Sequence, residues 1–411
     1  MPDSGDLKTI EPELAAKRPL SERNLLLLLA AVQFTHIMDF MIMMPLGPQL
    51  MRELGISAQQ FGGLISSFAI TAGVVGLAVA PFTDRFDRRK LLLFCYAGFT
   101  MGTLACGLSN NATTLLIARA VCGAFGGVSG ATIMAIVADV VPPERRARGM
   151  GIIMTAFSGA AALGVPFGLM IAQWWKWEAP FLVVAAVAAV VWAGLFRILP
   201  PVRGHLTGGK TTSGKDFLEL LRNGNAWMGL ALMFAMVFGH FTIIPFLSPY
   251  LVGNVGLPEN RLFLVYLTGG VVTIFTGPLI GNLADRYGRF LVYVFLVAGA
   301  CTVIWLLTSS GPMPVWQTLV LAGLFFAFAS GRFVPGQAVI SLAVPSNRRG
   351  AYMSLVACSR DLASGLTAAL GGLIVAEGAS GRLLNFEHLG WLAIGASLVS
   401  LWIFRQMKSV E

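Results

Sequence analysis

The sequence predicts an all-α membrane protein with twelve transmembrane helices in two six-helix repeats. The chain of 411 residues is 56% hydrophobic and only 12% charged, whereas a soluble domain carries about 25% charged residues. Apolar runs of about 20 residues, the length that spans the hydrocarbon core, follow one another from end to end. In addition, short basic patterns recur at equivalent places in the two halves of the chain.

Each apolar run is interpreted as a helix, because backbone polar groups inside a bilayer must form hydrogen bonds within their own segment. The runs are long enough, and the polar breaks between them short enough, to define the spans individually. The predicted spans are 24–46, 60–82, 90–109, 113–141, 149–172, 179–199, 226–250, 262–283, 290–309, 315–343, 351–376 and 388–405.

One long polar, glycine-rich stretch separates the sixth and seventh spans. It predicts five regions: an N-terminal tail (1–23), a first six-helix bundle (24–199), a linker (200–225), a second bundle (226–405) and a C-terminal tail (406–411). Basic residues concentrate in the tails, the linker and alternate loops, so the positive-inside rule predicts that both termini are cytoplasmic in a bacterial inner membrane. Membrane orientation explains the net charge of +9, and we expect no nucleic-acid partner.

Several other classes of site have no support in the sequence. The five cysteines lie inside apolar runs and are odd in number, which argues against a disulfide framework. No cysteine pairs with histidine at metal-ligand spacing, and the phosphate-binding pattern G-x-x-x-x-G-K-[ST] is missing from the sequence. We therefore expect neither a metal site, nor direct use of ATP, nor an enzyme.

Two basic patterns occur in both halves. APFTDRFDRRK (Ala80 to Lys90) matches GNLADRYGRF (Gly281 to Phe290), and VVPPERRARGM (Val140 to Met150) matches AVPSNRRGAYM (Ala343 to Met353). Each copy follows the corresponding span of its half. Internal repeats are a feature of transporter folds, whose substrate sites lie near the midplane where the repeats meet.

These patterns resemble the major facilitator superfamily, whose signature in loop 2–3 is G-x-x-x-D-R-x-G-R-[RK]. The first copy departs from it at Ala80 and Asp87, where the family has glycine. The matching positions are Asp84, Arg85, Arg88 and Arg89 in the first copy and Gly281, Asp285, Arg286, Gly288 and Arg289 in the second.

Within the superfamily the chain resembles bacterial twelve-helix drug–proton and sugar-efflux antiporters. LLIARAVCGAFGG resembles their arginine-centred motif on span four, with Arg119 at its centre and Cys122 in place of the usual glutamine. GAAALGVPFG resembles their motif on span five, although Val165 separates the glycine from Pro166. The resemblance implies a monomer that exports a drug-like compound or a sugar, in contact with membrane lipid and driven by the proton gradient without a cofactor.

Three alternatives stay open. The first is a uniporter or importer of the same fold, and the second is a lipid or lysolipid flippase with a largely apolar cavity. The third, a membrane-embedded receptor or enzyme, would be expected to show a soluble domain or a catalytic cluster.

Ionisable residues inside the spans are the candidates for proton coupling or substrate binding, because a charge at the bilayer centre costs about 3 kcal/mol on insertion scales. Asp39 lies mid-span and shares a helix face with His36 and Gln33. It either gains and loses a proton or forms a permanent ion pair with an arginine of another helix. The other candidates are Arg119, His240, Arg332, Arg360 and Asp361.

Their roles are open at this point. Arg332 could pair with Asp361 or contact substrate. Arg360 and Asp361 need not bond to each other, because neighbouring residues point about 100° apart on a helix. His240 is either a proton relay, since its unperturbed pKa is near 6.5, or a packing residue.

The repeated basic loops are candidates for a cytoplasmic gate, which would close in one conformation and open in the other. In the alternative interpretation the arginines only hold the loops on the cytoplasmic side. The gate candidates are Asp84, Arg85, Arg88, Arg145, Asp285, Arg286 and Arg289, and the candidates for helix bending are Gly164, Pro166, Gly168 and Pro335.

Overall fold

The computed structural model describes residues 22–83, 85–142, 145–203, 223–345, 348–378 and 381–408. Most of the predicted tails and linker, together with Asp84, lie outside the described residues, and the five predicted region boundaries stay predictions. We label the membrane helices α1 to α12 after the spans.

The first half contains six of these helices and one short helix, Gly47–Leu54, which follows α1. Their bounds are α1 Glu22–Ile42, α2 Ala58–Thr83, α3 Arg88–Gly107, α4 Ala112–Val140, α5 Arg146–Gly159 continuing as Val165–Trp174, and α6 Ala179–Ile198.

The second half repeats this arrangement. Its helices are α7 Gly224–Phe241 continuing as Ile244–Tyr250, α8 Leu262–Tyr287, α9 Arg289–Thr308, α10 Val315–Phe325 continuing as Phe333–Ser341, α11 Arg349–Ile374, and α12 Phe386–Gln406. A 3₁₀ turn, Glu259–Arg261, precedes α8. Between α11 and α12, β1 (Ala376–Glu377) pairs antiparallel with β2 (Leu383–Leu384).

The fold is therefore the predicted twelve-helix architecture of two six-helix repeats. Within the described ranges, eleven helices are long and apolar enough to cross a membrane. The remaining helix, α11, has 26 residues and is long enough, but it carries Arg349, Arg360 and Asp361. Its polarity reflects a position inside the assembly, which the following contacts establish.

Three of the spans contain a π-helical turn: Ala160–Gly164 in α5, Leu251–Val255 in α7 and Phe326–Ser330 in α10. Pro166 lies two residues after the first of them and has no N–H group to donate to the helix. In α10 the regular helix resumes only at Phe333. Regular α-helical hydrogen bonding is thus interrupted within α5 and α10 and at the end of α7.

The membrane helices alternate in direction, so the loops fall on two sides. We call the side that carries Arg203 and Asn223 the linker side, and the side that carries the helix Gly47–Leu54 the far side. Side-chain caps begin helices on both sides: Asp87 accepts a hydrogen bond from the Arg89 N–H (2.9 Å) and Asn111 accepts one from the Thr114 N–H (2.9 Å).

The two halves meet closely through glycines on α2 and α11. A Cβ atom added to Gly62 would lie 2.5 Å from the Ala368 carbonyl oxygen, and one added to Gly365 would lie 2.9 Å from the Ile70 nitrogen. Small residues allow such backbone approach between membrane helices. A second contact between the halves brings Gly270 of α8 against Ala162 of α5.

The far side is closed by contacts between the halves. Arg52 forms an ion pair with Glu259 (Nη1–Oε2 2.7 Å), and Gln173 donates to the Glu259 carbonyl oxygen (2.9 Å). Deeper in the bundle, the rings of Phe40 and Phe241 lie 5.9 Å apart.

The linker side has a different pattern. Its ion pairs between described residues each join groups of the same half: Arg88–Asp139, Arg203–Asp87 and Arg145–Glu22. The linker-side half of α8 also presents Phe275 and Leu279 to the surface. Among the described residues, hydrogen bonds and ion pairs between the halves thus lie on the far side, and we infer a conformation that is closed there and open towards the linker side.

Candidate functional site

Asp39 of α1 and Arg119 of α4 form an ion pair that is sealed inside the first half. The Arg119 Nη1 group donates to Asp39 Oδ2 (2.7 Å) and to the Asp39 carbonyl oxygen (3.2 Å), and neither side chain is exposed. The Phe68 ring lies 4.5 Å from the Arg119 guanidinium carbon. Of the two interpretations of Asp39, the structure shows the ion pair, and it identifies Arg119 as the partner.

His36 and Gln33 lie on α1 one and two turns before Asp39, as predicted. His36 is buried in edge contacts with Tyr96 (5.6 Å between ring centroids) and Phe99 (4.1 Å) of α3. Neither His36 Nε2 nor Gln33 Oε1 has a hydrogen-bond partner among the described residues. The α1–α3–α4 interface thus combines one buried ion pair with adjacent polar groups that can accept or donate.

His240 and Asp39 lie on opposite halves beside one aromatic layer. Phe40 follows Asp39, Phe241 follows His240, and these two phenylalanines face each other across the two halves. A second inter-half pair, Phe61 and Phe246, lies 6.1 Å apart. Because the far side is closed at this layer, Asp39 and His240 lie close to the closed end of the space between the halves.

Arg332 lies within the second half at the point where the π turn of α10 ends. Its Nη1 group donates to Ser397 Oγ of α12 (2.5 Å) and its Nη2 group to the Met236 carbonyl oxygen of α7 (3.0 Å). Of the two alternatives for Arg332, the ion pair with Asp361 does not form in this structure, where Asp361 bonds to Arg360 instead. Among the described residues Arg332 has no carboxylate partner.

His240 stacks on Phe325 (5.4 Å, interplanar angle 6°) and contacts Phe333 edge-on (5.6 Å). It is buried, and its Nδ1 atom has no hydrogen-bond partner in the described parts of the chain. Aromatic packing is therefore its observed environment, and a relay role stays a prediction.

Arg360 and Asp361 are neighbours on α11 and bond to each other (Nε–Oδ1 3.0 Å). The sequence argument allowed them to point apart, but the long arginine side chain bends back to reach the carboxylate. The Arg360 side chain is 51% exposed, although α11 packs against α2 through Leu362 and bonds to α7 through Ser359. This combination is expected in a cavity inside the bundle.

The inward face of α11 shows where that cavity ends. At 100° per residue, Met353, Arg360, Ser364 and Gly371 share one face of the helix. Met353 is half-buried and Arg360 exposed, but Ser364 is only 3% exposed and Gly371 is buried. The space that opens on the linker side therefore reaches Arg360 and closes immediately beyond it.

Asp87 organises the described part of the linker-side loop between α2 and α3. Asp87 accepts hydrogen bonds from the N–H groups of Arg89 and Val202 (3.2 Å) and from Arg203 Nε (2.8 Å). Burial alone would raise the pKa of Asp87, but these hydrogen bonds outweigh it and the pKa is lowered. Asp87 occupies a position where the family signature has glycine, so the resemblance directed attention away from it.

The other gate candidates differ in their surroundings. Arg88 pairs with Asp139 (3.2 Å) and Arg145 with Glu22 (3.1 Å), in both cases within the first half. Arg85 lies 5.3 Å from the Phe82 ring, and Arg286 5.3 Å from the Tyr287 ring. Asp285 and Arg289 are exposed and form no ion pair with another described residue.

The bending candidates on α5 also permit close packing. A Cβ atom at Gly164 would lie 2.7 Å from Met38 Sδ, and one at Gly168 would lie 2.6 Å from Met38 Cε. These glycines let α5 approach α1 beside Asp39. Pro335 lies in the first turn of the helix that resumes at Phe333, where its missing N–H group breaks no hydrogen bond.

Two residues of the far-side closure, Arg52 and Glu259, did not enter the sequence-based site. The hydrogen bond to Glu259 raises the pKa of Arg52. Arg52 lies in the helix Gly47–Leu54 and Glu259 in the 3₁₀ turn before α8, and spacing along the chain does not show that these two segments meet.

The architecture of two six-helix halves, closed on one side around buried charges, defines a multi-pass membrane transporter. The family model described as Major Facilitator Superfamily matches residues 29–331 and 243–410. The chain belongs to this superfamily. It is accordingly a transporter of small molecules and not an enzyme. Transporters of this family generally work without a cofactor, and the described ranges contain no cluster of three metal-ligand side chains.

Individual relatives and structures agree with this assignment. The MFS-type transporter YceJ of Bacillus subtilis (strain 168) is 25% identical over 338 residues (81% of this chain, 84% of the relative), and YtbD of the same organism is 25% identical over 395 residues (92% and 94%). An inward-facing, occupied bacterial homologue of the human lysosomal transporter Spinster superimposes with a TM-score of 0.74 at 17% identity (94% of this chain, 96% of that chain). A D-xylose–proton symporter gives 0.74 at 15% identity (94% and 99%).

Proposed function

We propose that the protein is a proton-coupled antiporter that exports a small organic solute, a drug-like compound or a sugar, by alternating access. Asp39 is the coupling carboxyl group, and Arg119 holds it in the ionised state. The described conformation, open on the linker side, is the one that receives the solute.

The Asp39–Arg119 ion pair carries this proposal. A carboxylate sealed inside a membrane bundle is expensive unless it is paired, and protonation of Asp39 removes the charge that holds Arg119. The pair joins α1 to α4, directly below the aromatic layer that closes the far side. The protonation state of Asp39 therefore changes the contact between α1 and α4 next to the layer that closes the far side. A bound proton shifts the equilibrium between two conformations only if it binds them with different free energies, and this contact supplies such a difference.

The orientation and setting follow from the loops. With the basic linker side in the cytoplasm, the described conformation faces inward in a bacterial cytoplasmic membrane, with both termini cytoplasmic. The protein acts as a monomer surrounded by lipid. One solved structure with this fold is named a D-xylose–proton symporter, and it is a precedent for proton coupling on the fold. The similarity between that protein and this chain is one of fold alone.

Proton movement in liposomes that contain the purified protein tests the proposal. A panel of drug-like compounds and sugars is applied as gradients, and the internal pH is followed with a trapped dye. We expect at least one compound to drive proton movement in the wild type, and Asp39→Asn to abolish that movement. The exposed Glu377 supplies the control, because Glu377→Gln leaves all the buried charges in place.

Two results would contradict the proposal. Proton flux that survives Asp39→Asn would remove Asp39 from the coupling step. Solute flux without proton movement in the wild type would support a uniporter or importer of the same fold, and flux of labelled lipid alone would support a flippase.

A further inference from the structure

Arg360 occupies the innermost exposed position of the space that opens on the linker side. On the helical wheel of α11 it points away from Leu362, which packs against Gly73 of α2, and away from the exposed leucines Leu366 and Leu370. It is the twelfth of the 26 residues of α11 and therefore lies near the middle of the helix. An ionisable side chain that is exposed at this depth, on a helix packed between its neighbours, is a candidate functional group.

The bonding of Arg360 leaves its terminal nitrogens available. Asp361 holds the Nε atom at 3.0 Å, which fixes the plane of the guanidinium group. Neither Nη1 nor Nη2 forms a hydrogen bond with another described residue. A guanidinium group oriented in this way presents two parallel N–H donors, which match the two oxygens of a carboxylate.

The wall next to Arg360 is apolar. Ala357 and Met353 lie one and two turns nearer the linker side and are both half-buried. Methionine adapts to apolar groups of different shapes. A solute that reaches Arg360 from the linker side would therefore place an apolar body against these residues and an acidic group at the closed end.

We propose that Arg360 binds the carboxylate of the transported solute, which is an organic anion with an apolar body. Asp361 is a positioning residue that orients the guanidinium group through Nε. The inference rests on the proposed transport function and narrows the solute from any drug-like compound or sugar to an organic acid.

Calorimetric titration of the full chain in detergent micelles tests this with matched probes. Benzoate and 1-naphthoate are each compared with the neutral amide of the same ring system, and inorganic phosphate serves as the bare anion. We expect at least one carboxylate to bind about tenfold more tightly than its amide, and Arg360→Gln to abolish that preference. Arg360→Lys keeps the charge but loses the two parallel N–H donors of the guanidinium group, so we expect the affinity for the carboxylate to fall about fivefold.

Arg405→Gln is the control, because Arg405 is an exposed arginine at the linker-side end of α12. Its carboxylate preference should equal that of the wild type. Asp361→Asn should weaken carboxylate binding less than Arg360→Gln does, since the guanidinium group remains and only its orientation is lost.

Three results would overturn the inference: equal binding of every carboxylate and its amide, unchanged binding in Arg360→Gln, or phosphate binding as tight as that of the aromatic acids. The assay uses no proton gradient, so its outcome is independent of the coupling experiment. Proton movement that depends on Asp39, without any carboxylate preference, would leave the antiporter standing and reject the organic-acid assignment.

Discussion

Arg119 and Asp39 bring opposite charges into the apolar interior of the first half. Removing charged groups from water is costly, and their mutual attraction repays that cost only when the geometry is good. The 2.7 Å contact meets this condition for one oxygen of the carboxylate, but Arg119 Nε and Nη2 have no hydrogen-bond partner among the described residues. The pair is better suited to switching between states than to stabilising one of them.

Deleting one partner should therefore be worse than deleting both. We expect Arg119→Met to lower the free energy of unfolding by about 3 kcal/mol, because it leaves a carboxylate buried without its partner. The double variant Asp39→Leu/Arg119→Met should recover most of that loss. Denaturation in mixed micelles measures both, and a double variant no more stable than Arg119→Met would show that the pair is not the cause.

The sequence indicated this residue pair only in part. A charged residue in the middle of a span is by itself a sign of a functional site, so Asp39 and Arg119 were both predicted as candidates. Which arginine meets which carboxylate depends on the rotation and depth of separate helices, and spacing along the chain contains neither. For the same reason the sequence left open whether Arg332 pairs with Asp361 or contacts substrate, whereas in the structure Ser397 and the Met236 carbonyl oxygen receive its hydrogen bonds.

Among the elements, α2 and α11 decide how closely the two halves approach. Gly62 and Gly63 are adjacent on α2 but differ in surroundings. A Cβ atom at Gly62 meets the Ala368 backbone at 2.5 Å, whereas nothing lies within 4 Å of one at Gly63. Alanine substitutions at these two glycines change helix propensity equally, so comparing them isolates the effect of contact between the halves.

We expect Gly62→Ala to open the far side and Gly63→Ala to leave it closed. Overpacking against a backbone atom costs about 1–3 kcal/mol, and each 1.4 kcal/mol changes a population ratio about tenfold. Spin labels at the exposed positions Lys176 and Glu377, with Cys301 and Cys358 replaced, report the far-side distance by pulsed electron paramagnetic resonance. Identical distance distributions for the two alanine variants would argue against this role of Gly62.

Helix content and order followed from hydropathy, because length and apolarity alone decide whether a segment can cross a membrane. Local irregularities within the helices and loops were harder to predict from the sequence. The predicted seventh span ended at residue 250, and the π turn Leu251–Val255 that follows it was not foreseen, since a π turn leaves the composition unchanged. The two-residue β1–β2 ladder was also missed: it depends on Asn254, which bonds to both the N–H and the carbonyl group of Leu383.

For the molecule as a whole, the Arg52–Glu259 pair joins the halves across the closed far side. Exposed ion pairs contribute about 1 kcal/mol or less, which is too little to hold a fold together. It is enough to bias two conformations of similar free energy. We therefore expect this far-side contact to act as a latch between states rather than as a source of stability.

Charge reversal tests the latch. Arg52→Glu should increase the far-side-open population several-fold, because it replaces an attraction with a repulsion, and Arg52→Glu/Glu259→Arg should restore the closed state. The same spin-label pair measures both variants, with thermal stability as the control that should hardly change. If the double variant stays as open as Arg52→Glu, the pair does not act as a latch.

The charges in the middle of the described spans also determine how the protein responds to membrane voltage. Asp39 balances Arg119 and Asp361 balances Arg360, so the field exerts little net force on either pair. Arg332 has no such balance among the described residues. Moving one elementary charge across the whole membrane field corresponds to about 2.3 kcal/mol per 100 mV. Even a modest displacement of Arg332 with α10 therefore makes the return of the empty carrier electrogenic. A bound organic anion would offset this single positive charge when the loaded carrier moves.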